Sequence, residues 1–472
     1  MSREKYLAAP LSALILTGCV NLAPDYERPA APVPMELPVS EPASAGVSTL
    51  AWQDIVQSED LRTLIALSLE QNRDLRTVAA TVEVARANLL TARSGFWPSF
   101  TASGSAQMGD SFQDDATYSS AFRDSSSAQI GVSAWELDFF GRVRNSNDAA
   151  MQTYLASVEG ERATKISLVA SVAEAWLQLA ADQELLRLAE QTAGSQKESL
   201  DLTQALFDAG TASEIDLRRA SASVASARAQ AAEFRAIVRR DLNTLRYLVG
   251  TDLPPAIEAR VQLSPSAVKL DLPVGQSSDV LLRRPDVIQA ERNLLAANAN
   301  IGAARAAYFP SVSLIGGAGV AGGDLTDLFE GDYASGWTFT PSISVPIFDF
   351  GTRRGNLDAA RANADAALAS YEGTIQQAFR EVANALAVSE TISSRLEALE
   401  QLADDTGVTL YLSQERFKSG LDDYLTVLDA QRENYNAQQE LILANLDRGL
   451  NSLALYRSLA VWDASLEEAP GQ

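Results

Sequence analysis

Ala92-Arg93-Ser94-Gly95-Phe96-Trp97-Pro98-Ser99 closes one helix-patterned run, and Ala304-Arg305-Ala306-Ala307-Tyr308-Phe309-Pro310-Ser311 closes another about 212 residues later. The two runs also open alike, on Asn72-Arg73-Asp74-Leu75 and on Arg284-Pro285-Asp286-Val287. A second match pairs Asp138-Phe139-Phe140-Gly141-Arg142-Val143-Arg144 with Phe348-Asp349-Phe350-Gly351-Thr352-Arg353-Arg354, and Asp148-Ala149-Ala150 with Asp358-Ala359-Ala360. A third pairs Phe207-Asp208-Ala209-Gly210 with Phe417-Lys418-Ser419-Gly420, and Asp216-Leu217 answers Tyr424-Leu425 nearby. Three matches in one order at a nearly constant offset mark an internal repeat. The chain reads as two copies of one unit: helix, strand pair, very long helix, turn, helix.

Within each unit the period changes from helix to strand. Phe100 to Gln107 is rich in Ser, Thr, Gly and Ala and lacks a helix period. Ala128, Ile130, Val132 and Ala134 alternate with Gln129, Gly131 and Ser133; Phe339, Pro341, Ile343, Val345 and Ile347 alternate with small polar residues in the second unit. One greasy and one small polar face suit a membrane barrel, with lipid outside and water inside; a soluble half-buried sheet has the same period. Gly109 to Ser125 and Gly322 to Gly336 read as exposed loops.

The helices are long. From Arg142 to about Phe207 there is no proline, and the only glycines are Gly160 and Gly194. At 1.5 Å per residue that run spans on the order of 100 Å. Its copy, Thr352 to about Phe417, has no proline either. Ile166, Val169, Ala173, Trp176 and Ala180 form one stripe; Leu168, Val172, Ala175 and Leu179 form its neighbour; Leu443, Leu446, Leu450 and Leu453 line the shorter partner. Two stripes need neighbours on both sides, which a closed ring of helices supplies and a two-stranded coil does not; a solid bundle is the alternative for this part alone. Two units give four strands, which cannot close a barrel without open edges, and open edges are not tolerated in lipid. Sharing of one barrel among several copies is therefore expected.

Composition removes other classes. Against 38 Lys and Arg stand 61 Asp and Glu, a net charge of −23, which leaves no broad face for phosphates and argues against nucleic acid. There is no histidine, so Ser–His and Cys–His catalysis and His-ligated metals are excluded. Paired carboxylates exist without a cleft-forming α/β pattern around them, so no enzyme is expected. Gly316-Gly317-Ala318-Gly319 lacks the Gly-Lys-Ser/Thr ending of a phosphate loop.

The single cysteine, Cys19, rules out an intrachain disulfide. Arg3 and Lys5 precede an apolar stretch from Leu7 to Leu16, too short to span a bilayer, and Leu16-Thr17-Gly18-Cys19 looks like a lipobox. Cleavage before Cys19 and acylation of its thiol and freed amine give stable anchoring. The alternative is an ordinary signal peptide with an incidental cysteine. No cofactor is expected beyond that covalent lipid. Val20 does not carry the aspartate that retains lipoproteins at the inner membrane, which leaves the outer membrane as the default. Pro24, Pro29, Pro32, Pro34, Pro38 and Pro42 make residues 24–50 an extended arm, whose docking the sequence leaves open.

The predicted boundaries are these: signal peptide 1–18 and acylated arm 19–50; in repeat one, helix 51–96, strand pair 97–140, and long helix with partner 141–250; an equatorial linker 251–278; in repeat two, helix 279–308, strand pair 309–350, and long helix with partner 351–461; and a tail 462–472.

Several motifs resemble the TolC-like outer-membrane efflux factors, in their lipoprotein branch serving resistance–nodulation–division pumps. They are Leu22-Ala23-Pro24-Asp25-Tyr26-Glu27-Arg28-Pro29, Arg283-Arg284-Pro285-Asp286-Val287, Tyr308-Phe309-Pro310-Ser311 and, above all, Gly420-Leu421-Asp422-Asp423-Tyr424-Leu425-Thr426-Val427-Leu428-Asp429-Ala430-Gln431-Arg432. The resemblance spans the mature chain. It implies a mainly α protein with a membrane β part: a homotrimer whose long helical hairpins form a periplasmic tunnel and whose strands share a twelve-stranded barrel. It implies an outer-membrane location, a periplasmic adaptor and an inner-membrane transporter as partners, and passive efflux of small toxic compounds or drugs. A metal-ion duct of the same architecture, a type I protein-secretion duct and a structural coiled coil are the competing functions. In the family the tunnel narrows at the turns, here Ala209 to Ser213 and Ser419 to Asp423. Asp422 and Asp423 then serve either as helix caps or as a ring of gate carboxylates, with Tyr411 and Arg416 close enough to tie helices shut. Gly210, Thr211, Gly420 and Leu421 mark the tips where the adaptor is expected to dock.

Overall fold

A computed structural model describes residues 20–38, 51–109, 124–258, 267–269, 277–460 and 462. Cys19, the signal segment, the second half of the arm, most of the 109–125 loop, parts of the 251–278 linker and residues 463–472 lie outside the described residues.

The main elements are α1 (Glu59–Gln71), α2 (Arg73–Ser94), β1 (Phe100–Gln107), β2 (Ser125–Leu137), α3 (Arg142–Asp208), α4 (Glu214–Val249), α5 (Pro285–Ala306), β3 (Ser311–Gly322), β4 (Ala334–Ser344), α6 (Thr352–Lys418) and α7 (Tyr424–Leu459). The order α2-β1-β2-α3-α4 returns as α5-β3-β4-α6-α7, with helices of 22, 67 and 36 residues in both halves. The two 67-residue helices run without interruption because neither contains a proline. Among the described residues no helix is long and apolar enough to cross a membrane.

The chain divides into two units. One holds Met1–Ala30, Thr81–Val158 and Gln289–Tyr371; the other holds Ala31–Ala80, Glu159–Ile288 and Glu372–Gln472.

The first unit contains an antiparallel four-stranded sheet of order β1-β2-β3-β4. The inner pairing, β2 with β3, joins the two halves, so β1 and β4 are both edges. Two sequence expectations need correction here. Ala134 does not continue the alternation of β2: it sits at φ +43 in a bulge between Val132 and Trp135, where one extra residue shifts the register. Likewise β4 ends at Ser344, so Val345 and Ile347 fall beyond the strand.

The arm docks in this same unit. Val20 N–H donates to Phe139 O at 3.1 Å. The chain then runs antiparallel to α5: Arg305 Nη1 donates to Leu22 O (3.1 Å), Asn298 Nδ2 to Pro24 O (3.0 Å), and Arg28 donates to both oxygens of Glu291 (2.7 and 2.5 Å). Positions 291, 298, 302 and 305 lie on one helix face. Gly302 leaves the space: a Cβ there would lie 2.7 Å from the Asn145 side chain and 2.8 Å from Ala23 Cα. Tyr26 hydroxyl also donates to Glu291 (3.2 Å), and its pKa is pushed up to about 12, first by burial and then by that carboxylate.

In the second unit both stripes of α3 are covered within one chain. Ile166, Val169, Val172, Ala173, Trp176, Leu179 and Ala180 pack with Leu61, Leu64 and Ile65 of α1, Leu245 of α4, and Leu453 and Tyr456 of α7. Each fully buried aliphatic side chain contributes about 1.5–3 kcal/mol of burial energy. The Arg284-Pro285-Asp286 motif also has a structural role here. Buried Arg284 reaches both oxygens of Asp286 (3.0 and 2.7 Å), Glu381 on α6 (3.0 Å) and Ser458 O on α7 (3.1 Å). Three elements are thereby pinned at one guanidinium, whose charge is fully partnered despite its burial.

Candidate functional site

The turns between each long helix and its partner lie in the second unit and are built alike. Gly210 and Gly420 take φ of +77 and +71, the left-handed cap that reverses the chain at little steric cost. Thr211 N–H returns to Leu206 O and Leu421 N–H to Arg416 O, both at 2.9 Å. The next helices start on Ser213 and Asp423, each of which accepts from a backbone N–H three residues on. In the first turn Asp216 closes a capping box with Ser213; in the second Thr426 donates to Asp423 through both N–H (3.1 Å) and hydroxyl (2.9 Å). The structural equivalent of Asp216 is therefore Thr426, not the Tyr424-Leu425 pair matched from sequence.

The two neighbouring aspartates have separate roles. Asp423 is the helix cap. Asp422 accepts two parallel hydrogen bonds from Arg416, at 2.7 and 2.8 Å, and this guanidinium holds its carboxyl below the usual carboxylate range. In the first turn Leu206 and Ala212 stand at the positions of Arg416 and Asp422, so only the second turn carries the ion pair. Tyr411 lies exposed on α6. Sequence reasoning missed Tyr424, whose ring packs on Phe417 at 5.8 Å and whose hydroxyl pKa is raised by burial. Its place directly after the cap, facing the apolar side of the last turn of α6, was the available signal. The tips also expose Ile215, Leu421 and Leu425, apolar side chains left uncovered among the described residues.

Buried between α3 and α4 is a second carboxylate pair that sequence reasoning did not find. Asp182 accepts from Gln178 at 2.7 Å, and Asp241 lies beside it with Oδ2 buried and unpartnered. Burial first, then Asp182, pushes the Asp241 pKa up to about 6, against Arg240, which lowers it. Below about pH 6 Asp241 carries a proton that it can share with Asp182.

The chain belongs to the outer membrane efflux protein family, whose model matches residues 64–251 and 277–461. It is 39% identical over 463 residues to the solvent efflux pump outer membrane protein SrpC of Pseudomonas putida, covering 96% of this chain and 98% of that one. It is 38% identical to the antibiotic efflux pump outer membrane protein ArpC of Pseudomonas putida, covering 97% and 95%. Its fold is similar to the open state of the Neisseria gonorrhoeae MtrE outer membrane channel, with a TM-score of 0.83, 35% identity and coverage of 93% of this chain and 98% of that chain. It is an outer-membrane component of an efflux pump, with the mainly helical architecture of the TolC-like channels.

Proposed function

We propose that three copies of this chain close into a passive exit duct, which receives small toxic compounds such as solvents and antibiotics from a periplasmic adaptor and an inner-membrane resistance–nodulation–division transporter. The observation that carries this reading is the four-stranded sheet with both edges, β1 and β4, open and both strands exposed along their full lengths. In lipid every backbone polar group needs a partner, so a sheet of four strands functions there only as part of a closed ring. The solvent and antibiotic names of the relatives support the substrate class.

Acylated Cys19 anchors the arm, and its neighbour Val20 is tied to the end of β2. The turns form the closable end. The Arg416–Asp422 ion pair ties the second turn at the constriction, with Tyr411 on the same helix, while Asp423 keeps the helix start in place. Gly210, Thr211, Gly420 and Leu421, with the exposed apolar residues beside them, form the tips that receive the adaptor.

The test is dye accumulation in a Gram-negative host without its own efflux channel, supplied with a matching adaptor and transporter. Accumulation falls when this chain is added and stays high when any one of the three components is missing. Unchanged accumulation with all three present contradicts the reading.

A further inference from the structure

Residues opposite one another in an antiparallel sheet share a face, and the register sorts this one into two faces. Ala102, Ile130, Ala318 and Trp337 form one row across the four strands; the next row, Thr101, Gly131, Gly317 and Thr338, points the other way. Phe100, Val132 and Phe339 join the first, apolar face, and Ser103, Gln129 and Thr340 the second, polar one. Ser126 and Gly322 pair at the end of the sheet remote from the helices, and by the same alternation both point to the apolar face. The β3–β4 connection folds onto that face. A Cβ on Gly322 would lie 2.7 Å from Asp327 Cβ and 3.3 Å from Asp324 O. The buried Ser126 hydroxyl donates to Asp324 O at 2.5 Å. Asp327 accepts from the Gly323 and Asp324 N–H groups (2.8 and 2.9 Å), which closes the connection around a helical turn, Asp327–Glu330. The turn therefore lies over the apolar face. From the connection Phe329 projects 84% exposed and Leu325 47% exposed.

We propose that this turn is a lipid contact: Phe329 and Leu325 enter the upper acyl region of the outer leaflet beside the channel wall. The inference rests on the shared duct proposed above, in which the apolar face of the sheet meets lipid and the polar face meets water. A segment packed on the apolar face, at the end of the strands remote from the helices, stands where the outer leaflet ends. Its backbone is ready for that place. Phe329 and Glu330 N–H donate to Thr326 O (2.9 and 3.0 Å), and Gly331 N–H donates to Asp327 O (3.2 Å), so an entering ring brings no unpaired N–H of its own turn with it. The surface is also continuous. Trp337, paired with Ala318 four positions along β3 from Gly322, is 78% exposed on the same face. Glu330 and Asp332 flank Phe329; charge is tolerated near the interface and costly at the midplane, so these carboxylates hold the turn at headgroup depth. Lipid, rather than a second copy, is the occupant because the turn packs on β2 and β3, the inner strands, whereas other copies meet the sheet at its edges, β1 and β4.

The test is fluorescence quenching of the full-length protein in phosphatidylethanolamine–phosphatidylglycerol vesicles. Phe329→Cys and Leu325→Cys are each labelled with a bimane. The label is then quenched either by added phosphatidylcholine that carries a nitroxide high on its acyl chain or by aqueous iodide. Ile130→Cys and Gln129→Cys, neighbours on β2 that point to the apolar and the polar face, are the controls for the two faces. Wild-type protein labelled in parallel controls for Cys19. Both loop variants are expected to lose emission to the nitroxide lipid, as Ile130→Cys does, and to keep it in iodide, whereas Gln129→Cys behaves the opposite way. Phe329 is exposed, so its replacement leaves the fold intact. If Ile130→Cys is quenched by lipid but both loop variants only by iodide, the turn stands in water; the lipid contact is overturned and the shared duct stands. Protection of both loop variants from both quenchers means that protein covers the turn, and that also overturns it. An Ile130→Cys label that lipid fails to quench overturns the duct reading as well.

Discussion

Val20 N–H donates to Phe139 O at 3.1 Å, so the residue after Cys19 sits just past the end of β2. From that point the arm descends along one face of α5 to the Arg28–Glu291 pair. An extended segment has no internal hydrogen bonds, and here the side chains of Asn298 and Arg305 satisfy its carbonyls. Residues 20–30 of the arm are therefore part of the first unit rather than a tether.

Gly302 is the position on which that docking depends. Gly302→Ala puts a methyl 2.8 Å from Ala23 Cα, and backbone cannot yield as a side-chain end can. The expected result is a loss of about 1–3 kcal/mol and faster proteolysis within residues 20–30, read by thermal unfolding and limited digestion in detergent. A variant as resistant as the wild type contradicts the docking.

Arg28→Ala removes both hydrogen bonds to Glu291 and leaves a largely buried carboxylate with only the Tyr26 hydroxyl. Arg28 itself is half exposed, so the expected loss is only about 1 kcal/mol. Adding Glu291→Gln to Arg28→Ala is expected to recover part of it, because no unpaired charge then remains. A double-mutant cycle by thermal unfolding measures both.

The Asp182–Asp241 pair predicts a pH dependence. A carboxyl whose folded pKa is raised binds its proton more tightly in the folded state, so its contribution is fully present below the unfolded value and declines as pH rises through about 6. Stability is expected to fall between about pH 4 and pH 6 on this account, and Asp241→Asn is expected to flatten that slope. Equal slopes in wild type and variant sink the assignment.

On the proposed reading, Asp423 caps a helix and Asp422 belongs to the gate. Asp423→Ala is expected to cost about 1 kcal/mol of stability and Asp423→Ser much less, since serine caps equally well in the first turn. Asp422→Asn is expected to leave stability unchanged while altering ion flow. Thermal unfolding of the three variants checks the division.

The repeat, the uninterrupted helices and both turns were legible because each leaves a local signature: a recurrence, an absence of proline, a glycine before an N-cap. The bulge at Ala134 left none, since no glycine marks it. The docking of the arm was illegible for the same reason that the arm is extended: its partners, Glu291, Asn298 and Arg305, are more than 250 residues away. The sequence placed Asp422 and Asp423 at the turn without dividing their roles. That division depends on extended backbone at Asp423 (φ −84, ψ 167) and on Arg416, six residues before Asp422, reaching back across the glycine.

The duct itself is tested most directly by single-channel conductance of the purified protein in a planar bilayer, wild type against Asp422→Asn, with selectivity read from reversal potentials. A small, cation-selective wild-type current that loses selectivity or widens in the variant is the predicted result. The absence of any channel from correctly folded wild-type protein would contradict the account.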